Sequence, residues 1–222
     1  MIYKLPKRHL SYSQLYCYLQ DPKEYYLQYY MGKDFMAELY TTNRDRWEQI
    51  RLGAIFSDAY GKPVINWKKK LQADGFTSDK QRIIETALID KNLIRLPASK
   101  CEMWINCEHE GIPLVIKPDG FDSTARLLIE NKFGAVRKQE YVDEDLQLSF
   151  YALGIKKVYG FIPKIILQSV NSATGKVIQI QTKRDKSDLE HVGELIVKVA
   201  ESITKGIFEK EEIVAPDIVN FA

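Results

Sequence analysis

The hydrophobic pattern changes period near residue 100. Before that point apolar residues recur at helical spacing, and after it they alternate or run together. SQLYCYLQ, with Ser11 or Ser13 as its cap, reads as a helix that Pro22 interrupts. PKEYYLQYYMG reads as a second helix, begun by that proline and stopped by Gly32. Tyr25, Tyr26, Tyr29 and Tyr30 recur at i, i+3 and i+4 spacing, so most are expected to pack. Residues 43–62 form a third predicted helix, with Trp47, Ile50, Ala54 and Ile55 on one side. A further helical region runs through 63–92, broken near ADGFTSD.

Beyond the change, KCEMWINCEHEGIPLVIKPDGF alternates around a turn-like HEG and predicts a hairpin. RLLIENKFG predicts a further strand, apolar and then abruptly charged. EDLQLSFYALGIKKVYG returns to helical period, and KIILQSVNSATGKVIQIQTK is a hairpin looped at NSATG. SDLEHVGELIVKVAESITKGIF closes the pattern as an amphipathic helix with Ser187 as its expected cap. This order predicts an α/β (α+β) fold, with a mixed central sheet flanked by helices. No repeat or Gly/Ser linker divides the chain, so a single domain is expected over 1–222. Its parts are a mainly helical 1–95, a sheet core at 96–185, and a C-terminal helix and tail at 186–222.

Composition narrows the function classes only slightly. Among 222 residues, Lys+Arg 32 against Asp+Glu 30 gives a net charge of +2, so charge alone makes no case for nucleic acid. No stretch of 18 apolar residues suggests a membrane span, and MIYKLPKRHL lacks the apolar segment of a signal peptide. Cys17, Cys101 and Cys107 are odd in number and without CxxC spacing, which argues against a disulfide framework or zinc ribbon and for burial in a reducing cytoplasm. His9, His109 and His191 share no motif, and GxSxG and GxxxxGK[ST] are absent. Lys68, Lys69 and Lys70 read as a solvated helix face.

The charged edges of the strands carry more information. Asp119 and Glu130 flank a turn around Asp122-Ser123-Thr124, so antiparallel strands joined there bring them together. Lys132 lies two residues past Glu130 and shares its strand face. Converging carboxylates repel, and a hard divalent ion such as Mg²⁺ or Mn²⁺ relieves that cost by taking oxygens from both. With Lys132 to orient water or steady a phosphate, the set suits metal-assisted phosphodiester hydrolysis. A plainer reading gives Asp119 and Asp122 to the turn, and Glu130 and Lys132 to a solvated strand end.

Pro118-Asp119 followed by Glu130-Asn131-Lys132 resembles the PD-(D/E)XK nuclease motif. Gln147 and Tyr151, four apart on one helix face, resemble the QxxxY motif of its RecB-like branch, which includes CRISPR-associated nucleases. SYSQLYCYLQDPKEYYLQYY resembles that branch's opening helix pair, and Leu52-Gly53-Ala-Ile-Phe-Ser57 falls where the branch shows GxxxH or GxxxE. The resemblance spans about residues 10–155 and implies a restriction-endonuclease-like core that cleaves DNA with Mg²⁺ or Mn²⁺. It implies Asp119 and Glu130 as metal ligands, with the Asn131 carbonyl a further one. Lys132 positions the nucleophile, while Gln147 and Tyr151 contact the nucleotide or brace the site. Arg137, Lys138, Lys156 and Lys157 are the expected phosphate contacts.

Two departures accompany the resemblance. Many relatives bind an iron–sulfur cluster through a cysteine before that proline and three near the C-terminus. Here Asp21 stands at the first position and the C-terminal segment has no cysteine, so no cluster is expected. Ser57 replaces the metal-binding His or Glu, and Asp58, about 100° round the helix, is the nearest substitute. Glu48 and Glu102 are remoter candidates. Two readings follow: a metal-dependent DNase, most simply an exonuclease of recombination, repair, CRISPR adaptation or viral DNA processing, and an inactive nuclease-fold module that binds DNA or a partner protein. Both place the chain in the cytoplasm, a host's if it is viral, away from membranes, with a homo-oligomer or recombination- or CRISPR-type partner proteins open.

Overall fold

The computed structural model describes residues 3–61 and 66–209. Residues 210–222, nearly all of the C-terminal segment read above as lacking cluster cysteines, lie outside the described residues. So do residues 62–65, where the third predicted helix gives way to the further helical region.

The N-terminal helices start where short polar side chains satisfy the first free N–H groups. Ser11 and Gln14 form a reciprocal capping box on α1 (Tyr12–Gln20). Asp21 accepts from the N–H groups of Lys23 and Glu24 to cap α2 (Pro22–Tyr29). At the position where the resembled branch has a cysteine, this chain therefore has a helix cap, a device typically worth about 1 kcal/mol. α3 (Phe35–Thr42) was not anticipated, being short and capped only by Asp34. α4 (Arg44–Gly61), α5 (Trp67–Ala73) and α6 (Ser78–Ile89) follow, with the expected break between the last two.

The packed face of α4 differs from the expected one. Ile50 and Ala54 are exposed, and burial runs through Leu52, Ile55, Phe56, Ala59 and Tyr60. That series keeps i, i+3, i+4 spacing but faces the sheet; Trp47 is buried separately, stacked on Phe76.

The strands form two sheets. β1 (Leu10–Ser11), β3 (Ile112–Ile116) and β2 (Ile105–His109) make the first, in the order β1-β3-β2. β4 (Gly120–Asp122), β5 (Leu127–Gly134), β6 (Lys164–Asn171) and β7 (Val177–Thr182) make the second, in chain order. The predicted mixed sheet is thus split in two, with the break at Lys117-Pro118-Asp119 between β3 and β4. Pro118 has no N–H to offer a ladder, which suits it to that interruption. Within the second sheet β4–β5 and β6–β7 are antiparallel and β5–β6 parallel, so the sheet is itself mixed. In the β2–β3 hairpin Glu110 and Gly111 both have positive φ, the requirement of a two-residue turn matched to strand twist.

The β5–β6 crossover runs through α7 (Gln139–Asp143) and α8 (Leu146–Tyr159). α9 (Lys186–Thr204) completes the fold; its cap is Asp185, in a capping box with Asp188, and not Ser187. One apolar cluster joins α1, α8 and α9 to the sheets, and a second joins α4 to α6 to the other face. No helix among the described residues is long and apolar enough to cross a membrane.

α8 approaches β3 closely because of Gly154. A Cβ there would lie 2.9 Å and 3.0 Å from Ile116 side-chain atoms and 3.2 Å from Cys107 Sγ. Gly154→Ala is therefore expected to destabilise by about 1–3 kcal/mol through overpacking, read as a lower denaturant midpoint.

Candidate active site

The interruption between the sheets places Asp119 beside β5. Asp119 Oδ2 accepts the Asn131 N–H at 2.7 Å, and Oδ1 accepts the Ser57 hydroxyl at 3.2 Å. Glu130 and Lys132 share one face of β5, as period two requires. Lys132 Nζ donates to Glu130 Oε1 at 3.0 Å and to Gln147 Oε1 at 2.5 Å. Gln147 Nε2 donates to Glu130 Oε1 at 2.8 Å and to the Tyr151 hydroxyl at 2.9 Å, and that hydroxyl donates to the Lys117 carbonyl at 3.2 Å. Gln147 and Tyr151 project from the first two turns of α8, which Asp145 caps. Lys117, Glu130, Lys132, Gln147 and Tyr151, from three separate segments, thus form one hydrogen-bonded unit, and Asp119 meets the same strand through the Asn131 N–H.

Electrostatics follow from burial. Glu130 is 5% exposed, and desolvation, then the Asp119 charge, push its carboxyl up to about 8. Asp119 is also raised, chiefly by desolvation and despite the Asn131 N–H and Lys132. Burial pulls Lys132 down, but Glu130, Asp145 and Asp119 outweigh it and hold the ammonium above the ordinary lysine value. Burial, with Glu130 next, keeps the Tyr151 phenol protonated. Glu130 Oε2 is buried without a hydrogen-bond partner.

That orphan oxygen bears on the metal expected from the sequence. Among the described residues no group of three or more His, Cys, Asp or Glu is arranged to hold a metal ion. Mg²⁺, however, keeps several waters and is commonly held by one or two carboxylates plus substrate phosphate oxygens. Two adjacent carboxylates, one with an unpaired oxygen, fit that mode, and three-carboxylate cages do not apply.

The remaining candidates divide. The Asn131 side chain points to the opposite face, where its Oδ1 accepts from Gln168, so only its backbone belongs to the site. Asp58 is held by Lys70 at 2.5 Å, and Ser57 is the α4 residue that reaches Asp119. Glu48 pairs with Arg44 on the first turns of α4. Glu102, ranked remote from the sequence, is close: its N–H donates to the Asp119 carbonyl, its charge helps to raise Asp119, and its carboxylate pairs with Lys117. Arg137 follows β5 near the site, where its charge acts on Tyr12, and Lys138 is exposed at the start of α7. Lys156 and Lys157 are exposed but lie about 14 Å along α8 from Gln147. Lys157 acts instead on Cys107 and His109.

Sequence reasoning missed residues that long-range folding delivers. Tyr12 packs against Phe150 and feels both Asp145 and Glu130. Arg184, 5% exposed, donates to Ser149 and Thr182 hydroxyls and to the Val142 and Asp145 carbonyls, fastening the α7–α8 junction that presents Gln147. Arg184→Leu strands those acceptors and is expected to cost at least about 2 kcal/mol of stability, measurable by chemical denaturation. An arginine just past a strand and before a helix cap was the only sequence cue.

The fold has a solved counterpart. A "putative exonuclease" from Eubacterium rectale is similar with a TM-score of 0.65 at 15% sequence identity, over 92% of this chain and 84% of that one. At this identity the likeness shows the fold, which is nuclease-like. No protein-family model matches the chain, and no curated protein matches it.

Proposed function

We propose that this chain is a Mg²⁺- or Mn²⁺-dependent deoxyribonuclease of the PD-(D/E)XK type, acting as an exonuclease in DNA recombination, repair, CRISPR adaptation or viral DNA processing. The observation that carries the reading is the convergence of Asp119, Glu130 and Lys132, with a buried Glu130 oxygen left without a partner. Asp119, Glu130 and the Asn131 carbonyl would hold the metal, which supplies a Lewis acid and an activated water. Lys132 keeps its proton and offers it as a fixed positive charge where phosphate charge develops. Gln147 holds Lys132 and Glu130 in register by bonding to both. Tyr151 anchors Gln147 to the Lys117 carbonyl at the sheet break. Arg137 and Lys138 extend the positive charge beyond β5, while Lys156 and Lys157 are better placed for DNA leaving the site.

Ser57 favours a second reading, an inactive nuclease-fold module that binds DNA or a partner. Its hydroxyl satisfies Asp119 without adding a carboxylate or imidazole ligand. Purified protein incubated with linear, circular and single-stranded DNA in Mg²⁺, Mn²⁺ or EDTA separates the two. Metal-dependent loss of linear DNA, with circles spared and Asp119→Ala inactive, is the expected result. Folded protein that cleaves nothing in either metal sinks the nuclease reading.

A further inference from the structure

A groove of about 390 Å³ adjoins the site, with Tyr151 and Lys117 in its wall. Its rim carries Trp104, which is 68% exposed, and Tyr29. Each of these rings has a lysine over it, Lys117 at 5.5 Å from Trp104 and Lys7 at 5.3 Å from Tyr29. His9 lines the same groove, and Arg8, between Lys7 and His9, has a positive φ of 59°. A non-glycine residue in that conformation is strained, and such strain clusters where a turn must present particular side chains. An exposed aromatic face beside fixed positive charge is the usual platform for unpaired bases.

We propose that this groove binds single-stranded DNA and leads it to Asp119 and Glu130. The inference rests on the nuclease reading for the destination of the strand, but not for the groove itself. A base stacks on Trp104, with Tyr29 as the next platform, while Lys7, His9 and Lys117 take backbone phosphates. Lys117 is shared with Glu102, so the phosphate competes with that carboxylate for the ammonium. The groove is of single-nucleotide ligand size, and paired bases in a duplex have no free face to offer it. Tyr151 in its wall is two hydrogen bonds from Glu130, through Gln147.

The test is fluorescence anisotropy with a labelled oligothymidylate and a blunt duplex, in EDTA so that no chemistry intervenes. Trp104→Ala is expected to weaken oligothymidylate binding about ten-fold, leave duplex binding unchanged, and be rescued by Trp104→Phe. Lys7→Ala is expected to lower the single-strand salt slope by about 0.7. Because Trp104 is exposed, an unchanged melting temperature verifies folding. Single-strand binding that is absent, indifferent to Trp104→Ala, or lost equally with duplex binding overturns the proposal. A protein that binds through Trp104 yet cleaves nothing with Mn²⁺ leaves the groove standing and removes the nuclease reading. Cleavage confined to duplex, with no Trp104 dependence, does the reverse.

Discussion

Glu130→Gln is expected to abolish metal-dependent cleavage and at the same time to stabilise the metal-free protein. The activity loss, about 10³-fold or more, follows on the proposed reading from removing one of the two carboxylates proposed to hold the metal. The stability gain follows from linkage. Glu130 titrates at about 8 in the folded chain and at an ordinary glutamate value when unfolded, so between these the folded state holds the extra proton. Stability is then fully present below about pH 4.5 and is lost as pH rises through 8. The glutamine never carries the charge and escapes that loss. Its advantage over the parent widens from pH 5 to pH 8 and then levels; the full shift corresponds to about 5 kcal/mol. Because a glutamine amide is a poorer partner for Lys132, a net gain of about 2 kcal/mol is expected, or about 4–8 °C in melting temperature. Comparing the two proteins at each pH cancels groups titrating in the opposite sense, such as His109, which burial lowers. Saturating Mg²⁺ should narrow the gap, since the ion supplies the missing positive charge to the parent alone.

Lys132→Ala is expected to remove activity with the opposite effect on stability. Among the described residues, the Lys132 ammonium is the positively charged group that pairs with Glu130, and it also offsets Asp119 and Asp145. Without it the buried carboxylates face each other uncompensated, and Gln147 Oε1 loses its donor. Breaking a buried charge pair by removing one member typically costs about 3–5 kcal/mol. Because Glu130 titrates at about 8, it already holds most of its proton at pH 7, so the loss expected there is smaller, about 2 kcal/mol, and it grows as pH rises through 8. Cleavage at saturating Mn²⁺ should fall about 10²–10³-fold, with substrate binding little changed, as for loss of a preorganised electrostatic contact. Two substitutions two residues apart would then share a functional outcome and differ in the sign of their stability effect. A merely structural ion pair would destabilise in both cases.

The catalytic candidates were legible because each lies in a short motif whose geometry is local. Period two puts Glu130 and Lys132 on one face, and one helical turn aligns Gln147 with Tyr151. The hairpins were legible from turn residues and alternation. Less legible was whatever depends on contacts distant in sequence. Glu102 reaches Asp119 only because Cys101 bridges Gly120, and Arg184 reaches Ser149 only when β7 docks beside α7. The single sheet became two because Pro118 interrupts the ladder between β3 and β4. Ile50 and Ala54 matched a helical stripe, but the sheet lies against the neighbouring stripe through Leu52 and Ile55. Asp185 displaced Ser187 as the cap because Asp188, three residues on, completes its box.

The central claim is that Asp119 and Glu130 together hold a catalytic divalent ion. It is tested most directly by anomalous diffraction from crystals of the protein grown with Mn²⁺ and a short DNA strand. The account predicts a manganese peak bound by both carboxylates, with Lys132 beside the phosphate and no peak in Glu130→Gln crystals. DNA seated at the site with no manganese between Asp119 and Glu130 would contradict it.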